Sequence, residues 1–177
     1  MLCSSCAADV PPAPDELVLP GLARCGAPWR YEGTARDLVL ALKLRGRRAA
    51  AAPLAAAIAG WVGERPPLVT WVPGRPGDIR RRGFDHAEAI AGAVAARLGT
   101  EARPLLCRVG TAPDQTSLSR TARMRNLDHV FAAAGSPSEV VLIDDLITTG
   151  ATAMACGRAL RGAGARRVSV IAACRVV

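Results

Sequence analysis

The chain has 177 residues, 50% of them apolar, and a formal net charge of +8. This length accommodates one domain with a full hydrophobic core, and the apolar fraction excludes wholesale disorder. Lysine occurs once, at Lys43, so arginine carries almost all of the positive charge; its planar guanidinium suits bidentate phosphate binding. A basic chain poor in aromatic residues indicates anionic partners, either phosphorylated small molecules or nucleic acid, or else a solvated basic surface.

The cysteines and the N-terminal segment bear on compartment and domain organisation. Six scattered cysteines and an N-terminus without an apolar stretch favour a cytoplasmic protein that lacks a disulfide framework. The longest apolar run, residues 49–63, is too short to cross a bilayer. Residues 1–30 are rich in proline and carry few periodic apolar positions, so we expect an N-terminal appendage with little regular structure. Residues 31–177 are expected to form the single folded domain.

The middle of the chain alternates helical and strand-like patterns. Thr34 is expected to cap the first helix, and Gly46 to end it. In chain order, the patterns predict a helix from Thr34 to Gly46, a helix over 48–62, a buried strand over 68–72, a loop over 73–83, a helix over 85–98 and a weaker strand over 104–109. Residues 111–126 are polar and basic, which is typical of a mobile loop, with or without a short helix.

The last forty residues carry the clearest pattern. Residues 139–143 are predicted to form a strand that is apolar without interruption after Glu139, a helix is predicted over 151–161, and residues 168–173 are predicted to form the next buried strand. Such a strand–helix–strand unit joins parallel strands. Because fully apolar strands alternate with helices, the sequence predicts an α/β fold with a parallel sheet covered by helices on both faces.

The loop between that strand and helix carries polar residues suited to a sugar phosphate. Asp144 and Asp145 follow the buried strand, and ionised carboxylates accept hydrogen bonds from vicinal sugar hydroxyls. Residues 148–152, Thr-Thr-Gly-Ala-Thr, open the next helix, where free backbone amides favour an anion. The alternative is an ordinary strand-to-helix turn. A Walker loop is excluded, since its Gly-Lys-Ser/Thr pattern is absent.

These residues resemble a known family. Residues 141–153, VLIDDLITTGATA, resemble the phosphoribosyl pyrophosphate (PRPP) signature of type I phosphoribosyltransferases. Within that superfamily, residues 29–177 resemble the competence protein F (ComF) family. The segments that carry this second resemblance are 31–33, 42–46, 82–84, 115–120 and 125–127.

The resemblance implies a type I phosphoribosyltransferase-like sheet and a set of site residues. Asp144 and Asp145 would be the catalytic pair that binds the ribose hydroxyls. The 5′-phosphate would be held by Thr148, Thr149, Gly150, Ala151 and Thr152. The pyrophosphate would be held by Val72, Pro73, Gly74 and Arg75, with Lys43, Arg80, Arg81, Arg82 and Arg120 as further candidates. Mg²⁺ is the implied cofactor, and the reaction would displace pyrophosphate with an acceptor.

Two departures from the family pattern stand out. ComF proteins commonly carry a zinc ribbon with two or more Cys-x-x-Cys pairs, whereas this chain has one pair, Cys3 and Cys6. A structural zinc site needs four ligands, so this pair would be half of a Zn²⁺ site. The family's Asn-Gln after Arg-Gly-Phe is replaced by Asp85-His86. Asp85 is expected to cap the next helix, and His86 is either an acid–base group or a structural residue.

Two classes of function remain open from the sequence. The first is a PRPP-dependent phosphoribosyltransferase with an unidentified acceptor, linked by the family resemblance to DNA uptake in natural competence. The second is a non-catalytic module that senses PRPP or a nucleotide and binds single-stranded DNA or a competence partner protein; a regulator that binds RNA is a weaker variant. The scarcity of aromatic residues favours the small-molecule interpretation. A homodimer is compatible with either class.

Overall fold

The computed structural model describes residues 6, 9–63, 68–110 and 130–177. The described strands are β1 Arg24–Gly26, β2 Trp29–Arg30, β3 Leu68–Trp71, β4 Leu106–Arg108, β5 Phe131–Ala133, β6 Glu139–Ile147 and β7 Arg167–Arg175. The α-helices in the same residues are α1 Gly33–Lys43, α2 Ala51–Val62, α3 Pro76–Arg82, α4 His86–Leu98 and α5 Ala151–Gly162, and a 3-10 turn spans Arg48–Ala50.

A parallel sheet forms the centre of the fold. Strand β7 lies between β6 and the short strands β1 and β2, and β3 pairs with the other edge of β6. Strands β4 and β5 form a separate antiparallel pair. The chain therefore has the α/β architecture with a parallel sheet that the apolar strands predict.

Helices cover both faces of the sheet because successive side chains of β6 and β7 point to opposite sides. Val141 and Ile143 pack into a core shared with α1, α2 and α4. Val140 and Leu142 pack into a second core that includes α5. Burial on both faces explains why the middle of β6 is an uninterrupted apolar run.

Several local predictions differ from the structure. Residues 76–82 form a helix within the segment predicted to be a loop, with Pro76 in its first turn and no buried residue. Its lack of an apolar face removes the periodic signal on which the prediction depended. Thr34 does not cap α1: Glu32 holds that position without a side-chain hydrogen bond, and the Thr34 hydroxyl donates to Asp9 Oδ2 at 3.0 Å.

The segment expected to be an irregular appendage contributes to the sheet. Strand β1 pairs with residues 169–171 of β7, and β2 pairs with Cys174 and Arg175. Cys25 is fully buried in the core on the α5 side. Strands of three and two residues are too short to give a periodic signal in the sequence, so only their pairing with β7 defines them. Among the described residues, no helix is both long and apolar enough to span a membrane.

Candidate functional site

The carboxyl ends of β3 and β6 meet at one edge of the sheet and define the site. Trp71 of β3 pairs with Ile143 of β6, and the Val72 amide donates to the Ile143 carbonyl at 2.9 Å. The loop after β3 therefore begins directly beside Asp144, although about seventy residues separate the two in sequence. Ligands of parallel α/β sheets bind at such strand ends.

Strand β6 extends through the acidic pair to Ile147, beyond the end that the apolar run predicts. Because alternate side chains of a strand face opposite sides, Asp145 shares the face of Ile143 and Asp144 the face of Leu142. Asp145 thus meets α1 and α4, whereas Asp144 lies on the side of α5. The backbone stays extended through the acidic pair and does not form a loop there. The two carboxylates are therefore on opposite faces of the sheet.

Asp145 is held by two basic side chains from different helices. The Lys43 ammonium, at the end of α1, lies 2.9 Å from Asp145 Oδ2, and His86 Nε2 lies 3.5 Å from the same oxygen. Burial by itself raises the pKa of Asp145, but the His86 contact and the Lys43 charge outweigh it and hold the pKa well below its usual value. Burial likewise opposes the Lys43 ammonium, yet the Asp145 carboxylate leaves the Lys43 pKa raised. Asp145 is therefore an ionised carboxylate at neutral pH.

Asp144 has the opposite electrostatic environment. Burial, followed by the adjacent Asp145 carboxylate, raises the pKa of Asp144 well above its usual value. Its Oδ1 accepts a hydrogen bond from the Asp145 amide at 2.8 Å. The two neighbouring acids thus differ in proton affinity, which is the arrangement expected where one carboxyl group can hold a proton and the other cannot.

The segment after β6 forms a small polar concavity at the start of α5. Gly150 precedes the helix with φ +77°, a conformation that glycine adopts without strain. Residues 148–153 and Asp144 line a space of about 30 Å³ there. The first amides of a helix have no intrahelical acceptor, and the Ala151 amide lies 3.4 Å from Thr149 Oγ1. The concavity is suited to one phosphate group.

A larger cavity of about 330 Å³ adjoins this concavity and is strongly charged. It brings together four stretches of the chain: residue 43, residues 72–86, residue 108 and residues 144–152. Its lining comprises Lys43, Val72, Pro73, Gly74, Arg75, Asp78, Arg82, His86, Arg108, Asp144, Asp145, Leu146, Thr148 and Thr152. The basic members outnumber the acidic ones, so the cavity favours an anionic ligand that also presents hydroxyl groups to carboxylates.

Arg108 lines this cavity, although it is not among the site residues predicted from the sequence. Its Nε donates to the Pro73 carbonyl at 2.9 Å, and its guanidinium lies 4.8 Å from the Phe131 ring centroid. Desolvation, and then the nearby Arg75 charge, lower the pKa of Arg108. Two guanidinium groups that repel each other in a cavity are stabilised when an anion lies between them. No sequence motif marks Arg108, because its position follows from the pairing of β4 with β5.

The structure places most of the predicted site residues at this cavity. Two predicted cations are elsewhere: Arg80 is exposed, and Arg81 pairs with Asp78 at 2.9 Å on the surface of α3. Arg120 lies outside the described residues, as does the basic segment 111–126. Asp78 lines the cavity and was not foreseen. Of the residues predicted to hold the 5′-phosphate, Thr149, Gly150 and Ala151 line only the smaller concavity.

The predicted zinc half-site stays a prediction. Cys3 lies outside the described residues, and Cys6 is half-buried. Within the part of the chain that the structure describes, no group of three His, Cys, Asp or Glu side chains could hold a metal ion.

Comparisons with known proteins find similar chains among solved structures. No family model matches the chain, and a search of the curated proteins finds no match. Among solved structures, the chain is similar to the allosteric regulatory enzyme of purine biosynthesis, with 22% identity and a TM-score of 0.44 over 68% of this chain and 25% of that chain. It is also similar to the protein TT1426 from Thermus thermophilus, with 28% identity and a TM-score of 0.38 over 71% of this chain and 72% of that chain. The chain thus corresponds to about a quarter of the first protein.

Proposed function

We propose that the chain binds PRPP in the charged cavity and transfers its phosphoribosyl group to an acceptor, with release of pyrophosphate. One observation carries this proposal. Two adjoining cavities are bordered by the acidic pair, the Thr148–Thr152 segment and the Val72–Arg75 loop. The family resemblance implies that each of these three holds a different part of PRPP. The family resemblance to ComF proteins supports the same assignment.

Each part of PRPP has a chemically matched partner. The 5′-phosphate binds the amides and hydroxyls at the start of α5. The ribose hydroxyls donate to Asp144 and Asp145, of which Asp145 is held ionised by Lys43. The pyrophosphate lies along the loop after β3, near Arg82 and Arg108. This order places the anomeric carbon between the acidic pair and the loop.

The proposed reaction requires positioning and charge neutralisation. The bond between the anomeric carbon and a pyrophosphate oxygen breaks, and its electron pair leaves with the pyrophosphate. A lone pair of the acceptor forms the new bond to that carbon. Charge accumulates on the leaving oxygen, so Lys43, Arg82 and Arg108 contribute by stabilising negative charge in a preorganised cavity.

The cavity also has the ligands for the expected Mg²⁺ ion. Magnesium in phosphate sites is bound by one or two carboxylates, substrate phosphates and water. Asp144 and Asp145 both line the cavity, and their side-chain oxygens are donors of the type that Mg²⁺ binds, so the donor set fits. When bound with PRPP, the ion would neutralise part of the pyrophosphate charge.

Calorimetric titration with PRPP, with and without Mg²⁺, tests the proposal. Wild type is expected to bind, and Asp144→Asn/Asp145→Asn is expected to lose binding while it keeps a cooperative thermal transition. Asp37→Asn, which removes an exposed carboxylate from α1, serves as the charge control and should bind like wild type. Absence of PRPP binding by wild type would refute the proposal.

A non-catalytic nucleic-acid-binding role is the second candidate, and it is favoured by the arginines outside the cavity. Arg45, Arg47, Arg80 and Arg81 are exposed, and exposed Arg48 lies 4.6 Å from the ring centroid of Phe84. Exposed cations near an aromatic ring are compatible with single-stranded DNA. Titration of a labelled oligonucleotide at two salt concentrations separates the candidates, because this role predicts salt-dependent DNA binding without PRPP turnover. Association with a competence protein and formation of a homodimer stay predictions.

A further inference from the structure

The start of helix α4 contacts both ends of the charged cavity. Asp85 is the N-cap residue of α4 and His86 is the first residue of the helix. They are 6% and 8% exposed, so a carboxylate and an imidazole are buried side by side. Buried polar groups of this kind are costly unless each is engaged by partners. The two side chains lie 3.8 Å apart, between His86 Nδ1 and Asp85 Oδ1. Of the two, Asp85 reaches the loop after β3 and His86 reaches the acidic pair.

Asp85 makes one contact more than a helix cap requires. Its Oδ1 accepts from the Ala87 amide at 3.0 Å, which is the usual capping bond. Its Oδ2 accepts from the Gly74 amide at 2.7 Å, in the loop that follows β3. A Cβ atom at position 74 would lie 3.1 Å from that oxygen, so glycine permits the short approach. The carboxylate therefore ties this loop to α4.

His86 makes the corresponding contact with the acidic pair. Arg82 Nη1 lies 2.8 Å from His86 Nδ1. Because a guanidinium can only donate, Nδ1 accepts and the imidazole proton is on Nε2. That nitrogen is the one that lies 3.5 Å from Asp145 Oδ2. Arg82 thus orients the imidazole so that its N–H group faces the ionised carboxylate.

We propose that Asp85 and His86 are positioning residues that set the spacing between the pyrophosphate loop and the ribose-binding carboxylates. Asp85 holds the pyrophosphate loop, and His86 holds the Asp145 carboxylate. Asp85 and His86 are neighbours in the chain, so one peptide bond joins the two contacts. The inference rests on the proposed function and deepens it, since it assigns each side chain to a different half of PRPP. It predicts that the two halves of the ligand respond to different substitutions.

Three variants separate these roles from a general role in folding. Asp85→Ser keeps a good N-cap, but its single short hydroxyl cannot cap α4 and also reach Gly74. His86→Ala removes the contact with Asp145. His86→Gln keeps equivalent contacts, because a side-chain amide can accept a hydrogen bond from Arg82 and donate one to Asp145. Asp37→Asn is the charge control for the Asp85 variant.

The measurement is calorimetric titration of each variant with inorganic pyrophosphate plus Mg²⁺ and, separately, with ribose 5-phosphate. Asp85→Ser is expected to weaken pyrophosphate binding about tenfold, the effect of losing one hydrogen bond to a charged group, and to leave ribose 5-phosphate binding unchanged. His86→Ala is expected to weaken ribose 5-phosphate binding about tenfold and pyrophosphate binding by less, since Arg82 loses its imidazole partner but stays at the cavity. His86→Gln is expected to bind both ligands like wild type.

Amide exchange supplies a readout that does not depend on a ligand. The Gly74 amide proton is expected to exchange faster in Asp85→Ser than in wild type, while the thermal midpoint is retained. Unchanged Gly74 exchange, or equal weakening of both ligands, would overturn the inference. If wild type binds PRPP and Asp85→Ser keeps full pyrophosphate affinity, the positioning role fails and the proposed function stands. If wild type binds neither PRPP nor pyrophosphate, the proposed function fails and this inference fails with it.

Discussion

Replacing Lys43 with methionine removes the ammonium group that pairs with Asp145 and keeps most of the aliphatic side chain. The Asp145 side chain is 5% exposed, whereas that of Lys43 is 39% exposed. Loss of one partner from a fully buried pair costs about 3–5 kcal/mol. Solvent around Lys43 and the remaining His86 contact reduce that cost, so we expect the free energy of unfolding to fall by about 1–2 kcal/mol.

The expected loss depends on pH in a direction set by the two pKa shifts. The pKa of Asp145 is lowered in the folded state, so its contribution is present above the usual carboxyl pKa and is lost as the pH falls through the folded value. The pKa of Lys43 is raised from 10.5, so its contribution is present below that value and is lost as the pH rises through the folded pKa. The difference between wild type and Lys43→Met should therefore be largest near neutral pH and should shrink below about pH 4.

Urea unfolding followed by circular dichroism at pH 7 and pH 3 measures this difference. For a chain of this size, the expected loss corresponds to a thermal midpoint about 2–8 °C lower at pH 7. Arg45→Met is the matched control, because it removes an exposed positive charge two residues beyond the end of α1. Equal stability of Lys43→Met and wild type at pH 7, or a difference that stays constant with pH, would refute the role assigned to the ion pair.

Two further predictions concern backbone strain and thiol reactivity. Gly150→Ala should destabilise the fold by about 1–3 kcal/mol in urea unfolding, because φ is +77° and the new Cβ would lie 2.5 Å from Leu19 Cδ1. Gly92→Ala, where a Cβ meets nothing within 4 Å, should instead stabilise α4 by about 0.5–1 kcal/mol. Native-state alkylation at pH 8 should label exposed Cys107 well before Cys174, since burial raises the pKa of Cys174 to about 12. Mass spectrometry that finds equal labelling would contradict this.

The unit formed by β6, α5 and β7 could be predicted from the sequence because its signals are local. Residues 140–143 are apolar without interruption, and Gly150 separates that strand from a helix with a periodic apolar face. The acidic pair and the Thr148–Thr152 segment follow directly from this unit. Their chemistry is contained in consecutive residues, so no information about distant parts of the chain is needed.

Elements without a local signal could not be predicted. Helix α3 buries no residue and therefore has no apolar periodicity, and β1 and β2 exist only because β7 provides an edge for them. The extension of β6 to Ile147 was missed for the same reason, since pairing with β7 continues through Asp144, Leu146 and Ile147 and overrides the low strand propensity of aspartate.

Sequence patterns predict the α/β class, the central strands and the residue types suited to a phosphorylated sugar, because periodicity and turn chemistry are properties of neighbouring residues. Tertiary packing sets which of the many arginines reach the cavity, and it brings both Lys43 and His86 to Asp145. Those contacts join residues up to 102 positions apart. They depend on strand pairing and on which face of β6 each carboxylate occupies, and long-range packing of this kind leaves no pattern among adjacent residues.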